Sequence, residues 1–524
     1  MPEISPLTHK LIKEISRPQK TSKKEDDICV DIKHYSSLGK RLREYLPWKE
    51  KHRLRCNVIE RALKKEALET DQEPSFEMAQ KILTRALKSG YFSKKRIKRS
   101  EVEEVQAIIS KYSKIIKNNP KEKKSDNDNL HEWLILIASC EIEEVLSPSL
   151  KEKAIIFYMF NSLKEVMITE GDKEEKQKNL LLYIAVQQSL FSLDKPIISY
   201  HILKSKFKKW KKNDEESIEV ISKQIRNERK MIDRALKEPL LKKFYRLCKR
   251  QRAPFLIVGD IVAENTKKAK ETLTEPIETE KEIKNHYKKR KDNIIKKTCR
   301  AGMFAGISLF LMRALVFFTI EQPIFWHGNE EVLSFSESLI AILAPSFFLL
   351  LLTCLTPPFS EKNEKKTILE TISVIYKKRE KEKKLIKEKN KEFARLMVKT
   401  YYVLGFLVLS GIIVFLFTLV NLPLLSSLIL LLFFMLAGSI GIRMREMSKE
   451  LWVRKEKENP LFLMVDVLSS PFSYFHRSLS ARQIKRNNLF IASNVLTELP
   501  AEFYAKTLKD WKGNLKEKKE KIYQ

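Results

Sequence analysis

Four long apolar runs, Ala301–Ile320, Leu339–Leu355, Tyr401–Val420 and Leu424–Ile442, interrupt a chain that is otherwise polar and thick with lysine. Each approaches the roughly 20 residues that an α-helix needs to cross a hydrocarbon core of about 30 Å. Arg313 is the one charged residue inside them. The pattern predicts four transmembrane helices in two hairpins, over 301–356 and 401–442.

Elsewhere the apolar positions recur at helical rather than alternating spacing, and glycine is scarce. The fold class expected is all-α. Residues 1–127 read as a basic helical region ending in the polar stretch Asn118–Asn129, a linker. Residues 128–265 read as a helical cytoplasmic domain. Its densest part, 131–212, falls into four helices broken at Ser147-Pro148, Glu170-Gly171-Asp172 and Asp194-Lys195-Pro196. Asp214–Ala263 makes a second helical group. Ser100-Glu101-Val102-Glu103 and Ser149-Leu150-Lys151-Glu152 fit the capping box, and Gly90 stops a helix that opens at Ser75. A basic juxtamembrane helix, 266–300, runs into the first span. Residues 357–400 form a cytoplasmic basic segment with a heptad-like seam, either a hairpin, one amphipathic helix or a coiled coil. Residues 443–524 read as cytoplasmic interfacial helices with a basic tail.

Charge fixes the expected orientation. Lys281–Arg300, Glu361–Thr400 and Arg443–Lys457 are all strongly basic, whereas Glu321–Ser338 holds four glutamates and no Lys or Arg. Lys and Arg stay cytoplasmic during insertion, so both termini are expected inside the cell (inner) membrane. The polar Met1–Asp27 has no apolar core, so no cleavable signal peptide is expected. The six cysteines form no CxxC pair and are expected as thiols.

A net charge of +33 invites a nucleic-acid reading, but the basic residues are spread among 67 acids with no Arg-aromatic stripe, so no specific DNA partner is expected. The bilayer, anionic lipids included, fits the juxtamembrane lysines better. A cytoplasmic protein is the expected soluble partner; a ribosome or nascent chain, or a second copy of the chain as a homo-oligomer, is compatible with the same surface.

No catalytic motif emerges, and the chain is expected not to be an enzyme. His131-Glu132 lacks the second histidine of HExxH, and the eight histidines lie near no Cys pair, so no metal or cofactor is expected. Gly259-Asp260 after Phe255–Val258 has no second glycine or GK[ST] to cradle a phosphate. The pointed feature is Arg313, costing about 2.5–3.5 kcal/mol on insertion scales. Gly302 and Gly306 form a GxxxG pair, and Ala437 and Gly441 repeat the small-xxx-small pattern. Arg313 shares the Gly306 face and is expected against a neighbouring helix, reaching Glu321 or Glu337 at the outer interface.

The second hairpin, Pro471-Phe472, Trp511 with the Lys-Glu-rich tail, and Leu180–Leu203 resemble uncharacterised multi-span membrane proteins of reduced-genome bacteria. That resemblance implies a bacterial cell membrane and no activity. The order of spans two to four resembles that of YidC-type insertases, whose groove arginine lies within the core, whereas Arg313 lies on an additional preceding span. The function expected is a membrane-anchored helical scaffold or adaptor presenting a cytoplasmic domain to protein partners; the alternative is a membrane-insertion or transport factor.

Overall fold

The computed structural model describes residues 3–16, 27–29, 48–66, 74–88, 91–92, 96–119, 130–169, 175–207, 209–210, 214–264, 266, 268–327, 334–354, 360–376, 384–386, 392–418, 423–453, 464–465 and 467–468. The stop at Gly90, most of the 118–129 linker, and the interfacial helices and tail beyond 468 lie outside those residues. The described chain is all-α apart from four three-residue strands.

In chain order the helices are α1 (Pro6–Ile15), α2 (Trp48–Glu66), α3 (Phe76–Lys88), α4 (Arg99–Lys117), α5 (Leu130–Leu146) and α6 (Leu150–Lys164). Next come α7 (Glu175–Phe191), α8 (Lys195–Lys206), α9 (Glu215–Lys237), α10 (Pro239–Glu264), α11 (Ala269–Thr274) and α12 (Pro276–Val316). A π-helical turn, Phe317–Glu321, leads into α13 (Gln322–His327), then α14 (Phe335–Cys354), α15 (Glu361–Ile375), α16 (Glu392–Thr418) and α17 (Leu424–Ser448). Strands β1 (Asp27–Cys29) and β2 (Arg96–Lys98) pair antiparallel, and β3 (Met167–Thr169) pairs parallel with β4 (Lys384–Ile386).

The chain divides into two compact units, Met1–His286 with Lys366–Glu388, and Tyr287–Lys365 with Lys389–Gln524. In the first, α5 to α8 fall at the breaks that the sequence marks. Pro148 denies α5 a further backbone donor, and Pro196 sits in the first turn of α8, where a missing N–H costs nothing. Leu134, Met159, Ile184 and Ile198, one from each helix, are fully buried. Helix α10 packs across α6 and α7. Gly259, rejected as a phosphate loop on the sequence, is in mid-helix there, and a Cβ on it would run into Ile155. Its lack of a side chain lets two helices touch. Helix α4 begins at Arg99, one residue before the sequence signal, and Glu101 Oε2 accepts from the Lys98 backbone N–H at 3.2 Å.

The segment 366–376 belongs to this first unit. Ser5 N donates to Ile375 O at 2.9 Å, Tyr158 Oη to Val374 O at 3.3 Å, and Tyr376 Oη to Leu273 O at 3.0 Å. Ile375 is fully buried. Of the apolar positions expected to form a coiled-coil seam in 361–400, Ile368 and Ile375 are buried within the chain. The helix ends at Ile375, and Lys384–Ile386 join a two-stranded sheet, so the segment is not one long helix.

Among the described residues three helices are long and apolar enough to cross a membrane: Pro276–Ile324, which begins in the first unit, and Glu337–Cys354 and Leu424–Leu451 in the second. The third apolar run lies in α16, which contains the apolar helical stretch Val403–Phe415. Large apolar side chains such as Phe304, Ile307, Leu315, Phe347 and Leu428 are exposed on these helices. Inward, Leu309, Leu349, Phe433, Ala437 and Met444 form one cluster, and Phe317, Ala341 and Leu430 another. At the basic end of the unit, Asn363 Nδ2 donates to Leu451 O at 2.9 Å while Asn363 Oδ1 accepts from Val453 N at 3.0 Å. Arg290 Nε donates to Glu450 at 2.8 Å.

Candidate functional site

The small residues of the first span set how closely α12 and α14 run. A Cβ on Gly302 would stand 2.7 Å from Thr353 Cγ2, inside contact distance. One on Gly306 would meet Leu350 at 3.6 Å, an ordinary contact. Gly302 faces the late residue Thr353 whereas Arg313 reaches the early residue Ala341, so the two helices run antiparallel. On α17, Ala437 is buried beside Leu309 and Phe433, and a Cβ on Gly441 would stand 2.8 Å from Leu352.

This packing carries Arg313 into the interior, where both it and Glu321 are 0% exposed. The guanidinium pairs with the Glu321 carboxylate through Nη1 and, at 3.1 Å, through Nη2. Ser426 Oγ, from the first turn of α17, donates to Glu321 Oε2. The rings of Phe317 and Phe433 lie 5.9 and 5.5 Å from the guanidinium carbon. Charge, aromatic faces and hydroxyl thus meet in the protein interior, where an uncompensated charge would cost several kcal/mol.

Two local irregularities make the node possible. In an α-helix a residue seven positions on returns to within about 20° of the starting face, but one eight on sits about 80° away. Glu321 follows Arg313 by eight. The π turn Phe317–Glu321 absorbs one residue and brings the carboxylate back over the arginine. On the facing helix, Pro345 has no N–H, so the Ala341 carbonyl lacks its helical donor. Arg313 Nε supplies one at 3.0 Å. In a hydrocarbon layer every backbone group must be satisfied inside the protein, and this contact meets that demand.

Of the two acids that the sequence offers as partners, Glu321 takes the pair. Glu337 caps α14 instead: its Oε2 accepts from Ser334 N at 2.8 Å, and its own N–H donates to Ser334 Oγ at 3.4 Å. Ser426 and Pro345 escape sequence reasoning; the signal is a polar or cyclic residue inside an apolar run.

The first unit has its own buried polar hub. Glu141 accepts from Lys111 Nζ at 2.7 and 2.9 Å, from Tyr112 Oη at 2.8 Å and from Trp210 Nε1 at 3.1 Å. Burial, with the Glu141 charge beside it, pushes the Tyr112 hydroxyl well up, so it stays a donor. Glu144, on the next face of α5, would be raised by burial, but Lys153 and Lys204, each at 2.6 Å, hold it at about 2. His201 is pushed down to about 3 by burial and by Lys153, and its Nδ1–H donates to Gln187 Oε1 at 2.6 Å. These networks tie the helices of the bundle to one another through named partners.

Comparison with protein-family models, with curated proteins and with solved structures finds no match to this chain.

Proposed function

We propose that the protein is a membrane-anchored helical scaffold, with both termini cytoplasmic, that holds its first unit at the anionic inner leaflet for a protein partner. The observation that carries the reading is the bridge from Asn363 to Leu451 and Val453. Asn363 follows the second apolar run and Leu451 follows the fourth. A chain that leaves one face of a bilayer and returns to it crosses an even number of times. Helix α17 accounts for one crossing, so the bridge supports α16 as the other, and with it four spans.

Two further observations point the same way. The first unit draws on residues before and after the first hairpin, which supports a shared compartment for both flanks. Exposed Phe304, Ile307, Phe347 and Leu428 would make a large apolar patch in water but suit lipid tails. Arg313, enclosed and fully paired, suits an anchor better than a hydrophilic groove. Basic flanks around Lys281–Arg300 and Arg443–Lys457 add attraction to anionic lipid of roughly 1 kcal/mol per residue.

Single cysteines at Asn329 and Lys362, in a background that keeps just the buried Cys56, Cys140 and Cys248, test the topology. A membrane-impermeant thiol reagent added outside is expected to label Asn329→Cys and spare Lys362→Cys; labelling of both overturns four spans. Crosslinking from native membranes tests the role. One defined soluble complex is expected; ribosomal proteins or nascent chains, together with water-accessible labelling of Gly306→Cys, would favour an insertion factor.

A further inference from the structure

Three side chains far from the membrane node converge inside the first unit. His52 and Cys56 stand four residues apart on α2 and so share a face. Cys140 comes from α5, which packs on that face. His52 Nε2 lies 3.4 Å from Cys56 Sγ, and Cys56 Sγ lies 3.7 Å from Cys140 Sγ. The three atoms fall within 4.8 Å of one another, and all three residues are buried.

The spacing is that of a ligand set. A tetrahedral zinc ion, about 2.3 Å from sulfur and about 2.05 Å from nitrogen, holds two sulfurs about 3.8 Å apart and a sulfur and nitrogen about 3.6 Å apart. The two measured separations match these. A disulfide, by contrast, needs sulfurs about 2.05 Å apart.

The surroundings complete the chemistry. Glu143 Oε2 lies 2.9 Å from His52 Nδ1, and Arg55 Nη2 lies 2.6 Å from Glu143 Oε1. The contact is an ion-pair approach without hydrogen-bond geometry; a carboxylate at that distance favours the tautomer whose Nε2 lone pair faces the thiols, the usual support for a metal-bound histidine. Charge balances as well. Two thiolates neutralise a divalent ion, and Glu143 with Arg55 forms a second neutral set, so an occupied site adds no net charge to the interior.

We propose that His52, Cys56 and Cys140 bind zinc(II), with Glu143 as the positioning residue that orients the histidine. Binding breaks two S–H bonds, releases two protons to solvent, and forms two zinc–sulfur bonds and one zinc–nitrogen bond, with a water molecule filling the fourth tetrahedral position; no electron is transferred. The ion pins α2 to α5, whose cysteines are 84 positions apart in the chain. That separation also explains why no sequence motif marks the site.

Full-length protein, purified in detergent without chelator, is assayed for zinc by elemental mass spectrometry, then stripped and titrated with cobalt(II). One zinc per chain is expected, with a thiolate-to-cobalt charge-transfer band at one equivalent. Cys56→Ser and Cys140→Ser should abolish both, whereas Cys248→Ser, a buried thiol outside the cluster, should keep them. Glu143→Gln should weaken binding by about 10–100-fold with the band retained. If the serine variants fail to fold, the cobalt band of the wild type decides alone. Folded wild-type protein that shows no such band overturns the site. So does zinc content unchanged in folded serine variants, or an intact mass two hydrogens short from a Cys56–Cys140 disulfide.

Discussion

Arg313 supplies, from another helix, the hydrogen-bond donor that Pro345 lacks: its Nε reaches the carbonyl of Ala341, four residues before the proline, at 3.0 Å. The two residues should therefore be energetically coupled. In an Arg313→Leu background, Pro345→Ala restores a backbone N–H to a carbonyl that has lost its partner. The proline substitution is expected to stabilise that background by about 1 kcal/mol more than it stabilises the wild type. Reversible unfolding in mixed micelles measures the cycle; equal effects in both backgrounds would show that the carbonyl does not depend on Arg313.

Removing one partner of the buried pair is far worse than removing both. Arg313→Leu leaves the Glu321 carboxylate enclosed and uncompensated, at a cost of about 3–5 kcal/mol. Arg313→Leu with Glu321→Leu removes both charges and is expected to recover most of the loss. A double variant no more stable than the single one would mean that Glu321 is already neutral or hydrated.

The π turn makes insertions and deletions unequal. Deleting Thr319 converts the turn to α-helical spacing and leaves Glu321 seven positions from Arg313, on the same face. Inserting an alanine after Thr319 swings the carboxylate about 100° away. The deletion is expected to fold with near-normal stability and the insertion to behave like Arg313→Leu. Thermal unfolding of the two proteins in one detergent distinguishes them.

The two glycines of the first span differ in what a methyl group would meet. Gly302→Ala drives a Cβ to 2.7 Å from Thr353 and is expected to destabilise by about 1–3 kcal/mol through overpacking. Gly306→Ala finds Leu350 at 3.6 Å and is expected to change stability by less than about 0.5 kcal/mol. Thr353→Ala should rescue the first change and have no bearing on the second.

Acid sensitivity should arise in the first unit. His201 at about 3 and Glu144 at about 2 both lie below their ordinary values, so the unfolded chain binds more protons than the folded one. Stability is complete above about 6.5 for the histidine and about 4.5 for the glutamate, and falls as the pH drops through those windows. Thermal scans by circular dichroism should show a declining transition from pH 7 to 5, flattened by His201→Gln; an unchanged slope in the variant would clear His201 of the effect.

The helices of the first unit were legible because their punctuation is local. Pro148 and Pro196 act on their own backbone, and the apolar periodicity between them belongs to one helix at a time. Three helices long and apolar enough to cross a membrane were legible for the same reason. Pairings between distant segments were not. Met167–Thr169 and Lys384–Ile386 are too short to signal a strand, and nothing in either names the other. Arg313 announced itself by its cost, but its use of Ala341 depends on Pro345, visible just when two helices are superposed. Cys56 and Cys140 carry no signal in the sequence, each a lone thiol in its helix.

The hydrogen bonds from Ser5 and Tyr158 to Ile375 and Val374 impose a timetable on synthesis. At roughly 5–20 residues per second, the stretch 287–365 takes about 4–16 s to emerge after the rest of the first unit is made. During that interval Ser5, Thr8 and Tyr158 lack the Val374 and Ile375 carbonyls to which they donate. The unit cannot finish folding until the first hairpin has been laid down and the chain has come back. Its maturation thereby waits on synthesis of the whole apolar stretch between its two parts.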